Sequence, residues 1–356
     1  MNPLKIAFVT GSDAWLHKKK LAAKYTKMRL EGLVYPDVFA LPYLLGSGCD
    51  FFCDGEQIPP GRYDLVMSEL NASDNQLQNL HSLVMSQIAP VVVIPGPPEI
   101  LCRELSNRKL LLVRRILSES SYVWAYSETI RDFCDGLIGH RKAQVVPWPF
   151  DKAATVKLGT SVSKNNDRFH VLLSVPLRFC SNTQNFPFFL KAALLNAWTE
   201  LPLNIKERVT FHTFVYTAED EARFRDTGFS EDLPIVLESK RQLPSFVRFV
   251  AGCDAVINLL YGNVLGRTTF VAGALGKPGI FSDSSEMNRR IYPEGTVPLL
   301  GFGLHDMVRS LLSGIFQGCV AQRFLPSASA VEELGDLRVN SLKLRALLRE
   351  GSMCHK

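Results

Sequence analysis

Residues 89–98 read APVVVIPGPP, and the four β-branched residues Val91 to Ile94 stand without a polar interruption before Pro95. A strand with one wet face alternates apolar and polar residues, so an unbroken run must be covered on both faces. That is the signature of a parallel sheet sandwiched between helices. Shorter runs of the same kind recur at KIAFVTG (5–11), YDLVMSEL (63–70), SYVWAYS (121–127) and KAQVVPWPFD (142–151). Helix-like stretches such as ETIRDFCDGLIG lie between them, which is the order of βαβ units. A second series follows, with strand-like segments at 169–178, 207–216, 234–239, 254–260 and 278–283 and helix-like segments at 185–201, 219–228 and 243–253.

Between the two series KAATVKLGTSVSKNNDR (152–168) is polar and reads as a linker. The expected architecture is therefore α/β, with two Rossmann-like, doubly wound domains facing across a cleft. The N-terminal domain is 1–151, the linker 152–168, the C-terminal domain 169–320 and a helical tail 321–356. In such folds a ligand sits outside the carboxyl ends of the strands, where the strand order reverses.

Composition narrows the class by exclusion. The 356 residues are 46% hydrophobic and 21% charged, enough for a large core without staples. No run of about 18 apolar residues occurs, so no bilayer span is expected. The N-terminus enters a strand directly, without the pattern of a signal peptide. Eight scattered cysteines without a CxxC point to reduced thiols in the cytoplasm. The seven histidines show no HxH or HxxxH spacing, so no metal site is expected, and neither a GxSxG elbow nor a GxxxxGK[ST] loop is present. A net charge of +5 permits a polyanionic partner without requiring one and gives no strong nucleic-acid signal.

The stretch GCDAVINLLYGNVLGRTTFVAGALGKPGIFSD (252–283) reads as a buried strand, a glycine-flanked loop, a helix, a stop and a second strand. A helix opening near Gly266 presents unpaired N–H groups to an anion, and glycine admits close approach. Arg267 can grip a phosphate through paired hydrogen bonds, and Thr268 and Thr269 add hydroxyls in the first turn. An ordinary strand-loop-helix connection fits the same letters. Gly11, Ser12 and Asp13 follow the first strand, where a cleft ligand would pass.

Taken in order, these motifs resemble the retaining glycosyltransferases of the GT-B fold (glycosyltransferase family 4-like). Cys253-Asp254-Ala255-Val256, the loop glycine Gly266 and the helix end Ala272-Gly273-Ala274-Leu275-Gly276-Lys277-Pro278 fit its donor domain. VLLSVPLRFCSNTQNF fits the strand and arginine that precede its first donor-domain helix, and VVPWPFD, with Pro147 and Asp151, fits its interdomain crossover. The resemblance spans about residues 4 to 300. It implies a nucleotide-diphosphate sugar as donor substrate, no cofactor and no required metal. It implies roles for Arg178 and Asn263 in catalysis, and for both with Gln184, Gly266, Arg267 and Thr268 around the donor diphosphate. Gly11, Ser12, Asp13 and Gly96 are implied on the acceptor side. The departures are specific. The family's paired glutamates correspond to Asn263 and Val271, its diphosphate lysine to Gln184, and a common histidine to Gly96. Asn263 can still bond a sugar hydroxyl, whereas Val271 has nothing to offer a ribose. A glutamate restored at 271 is expected to be tolerated if the ribose site survives.

Residues 15–30, WLHKKKLAAKYTKMRL, place Lys20, Lys24 and Lys27 on one helical stripe beside the apolar stripe Leu21, Tyr25 and Met28. The lysines are a candidate patch for an anionic membrane surface or a polyanionic acceptor; a solvated helix face is the plain alternative. The functional expectation is transfer of a sugar from a nucleotide-diphosphate donor to an unidentified acceptor hydroxyl, with retention. The alternatives are a catalytically degenerate binding or partner subunit, and a transferase acting on a large polyanion such as modified DNA or a wall polymer.

Overall fold

The computed structural model describes every residue except 1–3, 11–14, 33, 54–55, 71–73, 87, 96–105, 163–166, 175–185, 216, 227, 240, 260–265, 284, 299–302 and 354–356. Residues 4–151 form β1 (Lys5–Val9), α1 (Trp15–Glu31), α2 (Leu41–Leu44), β2 (Gly48–Phe52), β3 (Leu65–Glu69), α3 (Asp74–Met85), β4 (Val91–Ile94), α4 (Asn107–Glu119), β5 (Tyr122–Ala125), α5 (Glu128–Ile138) and β6 (Ala143–Val145). There follow α6 (Lys152–Gly159), β7 (Phe169–Ser174), α7 (Phe186–Glu200), α8 (Leu203–Lys206), β8 (Val209–Val215), α9 (Ala218–Asp226), α10 (Phe229–Asp232), β9 (Ile235–Ser239), α11 (Leu243–Gly252) and β10 (Ala255–Asn258). The chain closes with α12 (Arg267–Ala274), β11 (Gly279–Ser282), α13 (Glu286–Ile291), β12 (Thr296–Val297), α14 (Leu304–Gln317), α15 (Ala328–Gly335) and α16 (Leu337–Met353).

Two compact units result, Met1–Asp151 with Glu333–Lys356, and Lys152–Glu332. Each holds one six-stranded sheet, ordered β2-β1-β3-β4-β5-β6 and β12-β11-β10-β7-β8-β9. Every strand pair is parallel. Renumbered within its own unit, the second sheet is 6-5-4-1-2-3, the doubly wound Rossmann order, with its reversal between β7 and β10.

The runs that lack alternation are buried on both faces, as the physics requires. All four residues of β4 are buried, and so are all four of β10. In the first sheet Val92, Ile94, Val123 and Ala125 pack with Leu77, Leu80, Val113, Ile116, Ile130 and Cys134 of α3, α4 and α5. The other face presents Phe8, Met67, Val91 and Tyr122, which are register partners and so share a side. Phe8 meets Phe51, which meets Tyr25 of α1, and the Tyr122 hydroxyl donates to the Leu348 carbonyl of α16.

Two boundaries differ from the sequence reading. The stretch read as a linker, 152–168, opens with a helix. Ala153, Val156 and Leu158 give Lys152–Gly159 an apolar content that its polar neighbours mask, and α6 packs on α11 and α12. A β-carbon on Gly159 would come closer than 3.0 Å to Leu275, so this glycine permits the contact. The stretch read as one tail, 321–356, divides between the units after Glu332. Its last helix, α16, returns to the first unit: Ser341 Oγ donates to the Leu44 carbonyl and Asn340 Nδ2 to the Trp148 carbonyl, 3.2 Å away. The edge strand β2 went unread because GCDFF is short and polar at its centre.

Candidate functional site

The reversal in the second sheet puts β10 between β7 and β11. Asn258, the last residue of β10, pairs in register with Ser174 and Phe281. The chain after β7 and the chain after β10 therefore leave from one edge. Arg178, Gln184 and Asn263, assigned from the sequence to that edge, lie outside the described residues, as do Gly11, Ser12, Asp13 and Gly96 of the first unit.

The part described is built on α12. Gly266 is its N-cap, with extended backbone and no side-chain cap, so the helix start offers its N–H groups uncapped by this residue. Its φ is −68°, which any residue adopts; glycine is required here by space. A β-carbon would stand closer than 3.0 Å to Thr269 Oγ1 and 3.3 Å from Asn288 Oδ1. Thr269 Oγ1 donates to Asn288 Oδ1 (2.6 Å), and Asn288 Nδ2 donates to the Ser282 carbonyl (2.8 Å). One side chain of α13 thus ties the start of α12 to the end of β11. Arg267 is exposed and Thr268 half-exposed in the first turn, while Thr269 is fully buried.

Around this link Asn258, Thr269, Ser282, Ser285 and Asn288 are all buried polar residues at one sheet edge. Asn258 Oδ1 and Ser285 Oγ have no hydrogen-bond partner among the described residues. Buried polar atoms without partners cost stability, and they concentrate where a ligand or water completes them. The sequence reading named only Thr269 of this cluster, as a hydroxyl donor for an anion; the structure buries it and commits it to Asn288. The available signal was an asparagine inside the run Val256-Ile257-Asn258-Leu259, where a core strand has no use for an amide.

Val271 is 2% exposed. It sits inside the packing of α12, where residues 269–274 are all buried, so a glutamate there would be an unsolvated charge. This overturns the expectation that the substitution is tolerated. At the other end of α12, the buried Lys277 donates to the carbonyls of Ala251 and Cys253 (both 2.6 Å) and fixes the end of α11. The family-like Gly-Lys-Pro stop is thus a structural clamp in this chain.

A second polar chain runs across the same face of this sheet. His212 Nδ1 donates to Glu238 Oε1 (3.0 Å), leaving its Nε2 to accept from His170 Nδ1 (2.9 Å). Arg241 donates to Glu238 Oε2 (2.7 Å) and lies 4.7 Å over the Phe249 ring. Burial pushes the His212 pKa down, against the upward pull of Glu238. Burial alone would raise Glu238, but its bonds from Arg241 and His212 outweigh this and hold it low.

In the first unit, Lys20, Lys24 and Lys27 are exposed on α1, with the adjacent stripe Leu21, Tyr25 and Met28 buried. Lys24 lies 5.8 Å over both Tyr35 and Phe39, and Lys27 pairs with Glu31 at 3.6 Å. Among the described residues, no helix is long and apolar enough to cross a membrane.

No family model and no curated protein sequence matches the chain. Solved structures do. Sucrose-phosphate synthase from Thermosynechococcus elongatus superposes with a TM-score of 0.64 at 11% identity, over 98% of each chain. HepE from Anabaena, solved in complex with UDP and glucose, gives 0.58 at 15% identity, over 99% of this chain and all of that one. Trehalose-6-phosphate synthase from E. coli, bound with UDP-2-fluoro glucose, gives 0.58 at 10% identity over 81% and 72%. At these identities the likeness speaks for architecture, and two Rossmann-like parallel sheets are what the topology already gives. The chain has the GT-B fold, that of these nucleotide-sugar glycosyltransferases.

Proposed function

We propose that the protein transfers a glycosyl group from a nucleotide-diphosphate sugar to an acceptor hydroxyl, with retained configuration. The observation that carries the reading is the start of α12 at Gly266, which supplies no side-chain cap, at the same sheet edge as buried Asn258 Oδ1 and Ser285 Oγ, which have no hydrogen-bond partner among the described residues. In this reading the helix N-terminus, Arg267, Thr268 and Arg178 hold the diphosphate, with Gln184 as a neutral neighbour. Asn263 bonds a donor-sugar hydroxyl. As the bond from the anomeric carbon to the diphosphate breaks, the new bond to the acceptor oxygen forms, and the acceptor proton leaves with the nucleoside diphosphate. The fixed positive groups stabilise the leaving charge without rearranging. Gly11, Ser12, Asp13 and Gly96, following β1 and β4, take the acceptor. The similar structures support the donor class, since one holds UDP with glucose and another a UDP-sugar analogue.

Buried Val271 favours a second reading, a GT-B-fold binding subunit that has lost turnover, because the family's ribose-holding acid has no counterpart there. A thermal-shift screen against nucleoside diphosphates and sugar nucleotides tests the first reading. Ligand at a hundred times its Kd stabilises by about 2.7 kcal/mol, a shift of roughly 5–10 °C for units of this size. No shift with any of them removes the transferase reading; a shift without diphosphate release over a panel of acceptors selects the binding subunit.

A further inference from the structure

The sequence marks α1 as basic; the structure adds a second basic helix beside it. Both α1 and α16 pack on α2. Tyr25 of α1 donates to the Ser47 carbonyl (2.7 Å), and the guanidinium of Arg345 on α16 reaches the neighbouring Gly46. Phe8, beneath α1, and Tyr122, bonded to α16, share one face of the first sheet. The two helices therefore form one outer layer of the first unit.

That layer carries the chain's charge. Residues 15–31 and 337–353 hold ten Lys/Arg and two Glu, a net +8. The whole chain is +5 (40 against 35), so the remainder, 30 against 33, is −3. The outward stripe of α1 bears Leu16, Lys20, Lys24, Lys27 and Leu30, and that of α16 bears Arg338, Leu342, Arg345 and Arg349. Leu16, Leu30 and Leu342 are 60%, 81% and 60% exposed. Among the described residues, the ion pairs Lys18–Glu56, Lys27–Glu31 and Lys343–Glu333 temper the charge. A soluble polyanion would need the cations alone. Leucines exposed beside the cations on one outer layer match an anionic bilayer, whose headgroups take the charge and whose acyl boundary takes the leucines.

We propose that the α1–α16 layer docks the protein on an anionic lipid surface. The proposal stands apart from the donor reading, since every residue it uses lies in the first unit. The test is co-sedimentation of the full chain with phosphatidylcholine vesicles, with and without phosphatidylserine, over a range of NaCl. Binding is expected only with phosphatidylserine and should weaken as salt rises. Each cation at such a surface is worth roughly fivefold in partitioning. Lys20→Gln with Lys27→Gln, and separately Arg338→Gln with Arg345→Gln, should each weaken binding on the order of 25-fold, with unchanged thermal midpoints. Leu30→Ser with Leu342→Ser should weaken it as well. Absence of binding to phosphatidylserine vesicles overturns the proposal. So does an α16 variant that binds like the parent, which confines the patch to α1. A leucine variant without effect, in a protein that binds heparin as tightly as vesicles, overturns it in favour of a soluble polyanion.

Discussion

Gly266→Ala is the sharpest local test of the site. The added methyl would press against Thr269 Oγ1, closer than 3.0 Å, in a place where Thr269 is fully buried and committed to Asn288 at 2.6 Å. Thr269 has little room to swing, because it and residues 270–274 are all buried. Either the methyl displaces the hydroxyl and breaks the bond to Asn288, or the N-terminal turn of α12 moves away from β11. Overpacking of this kind costs roughly 1–3 kcal/mol, and the stranded Asn288 acceptor belongs to the same range. The expected loss is about 2 kcal/mol in urea denaturation with an unchanged m-value. Removing the obstacle should remove most of the cost. In a double-mutant cycle, Gly266→Ala in a Thr269→Ala background should cost under about half as much, a coupling on the order of 1 kcal/mol. Additive costs, or a Gly266→Ala protein within about 0.5 kcal/mol of the parent, would refute the close approach on which the account of the helix start rests.

Val271→Glu buries a carboxylate with no partner and should destabilise by roughly 3 kcal/mol or more; a midpoint near that of the parent in thermal melting would show that position 271 opens to solvent. The depressed His212 pKa makes the folded chain bind fewer protons than the unfolded chain below the ordinary histidine value of about 6.5. Stability is thus fully present above that pH and falls as the pH drops through it, with a further fall below about 4.5 as Glu238 loses its pairing. Denaturation curves between pH 8 and 4 check this, and His212→Gln should be less stable at pH 8 but flatter toward acid (about 6.5 being the pivot). Lys277→Met leaves the Ala251 and Cys253 carbonyls unbonded and should cost roughly 1–3 kcal/mol in the same assay.

The elements legible in the sequence are those whose burial left a periodic trace. Val91–Ile94 and Ala255–Ile257 are unbroken apolar runs covered on both faces, and with the helix-like stretches between such runs they forecast two parallel sheets. The helix of 152–159 was hidden because Lys152, Lys157 and Thr155 make it look solvated, although Thr155 is buried. Gly266 was singled out for its place at a helix start, whereas what requires glycine there is the space taken by the Thr269 side chain. The link from Thr269 through Asn288 to Ser282 joins residues whose contact is set by the α12–α13 packing. No spacing rule along the chain marks such a meeting. The α16 basic face was likewise visible as a helix, but its place beside α1 follows from the return of the chain to the first unit.

The central claim is that the edge formed by β7, β10 and α12 holds a nucleoside diphosphate. Calorimetric titration of UDP and of UDP-glucose into the parent protein and into Arg178→Ala measures it directly. The account predicts one site per chain in the parent. It predicts affinity weakened about ten- to a hundredfold in the variant, since one charge-assisted hydrogen bond is worth roughly 1.5–3 kcal/mol, with the thermal midpoint of the unliganded protein unchanged. Absence of heat from these and from other nucleoside diphosphates at millimolar concentration, or identical affinity in the parent and Arg178→Ala, would contradict it.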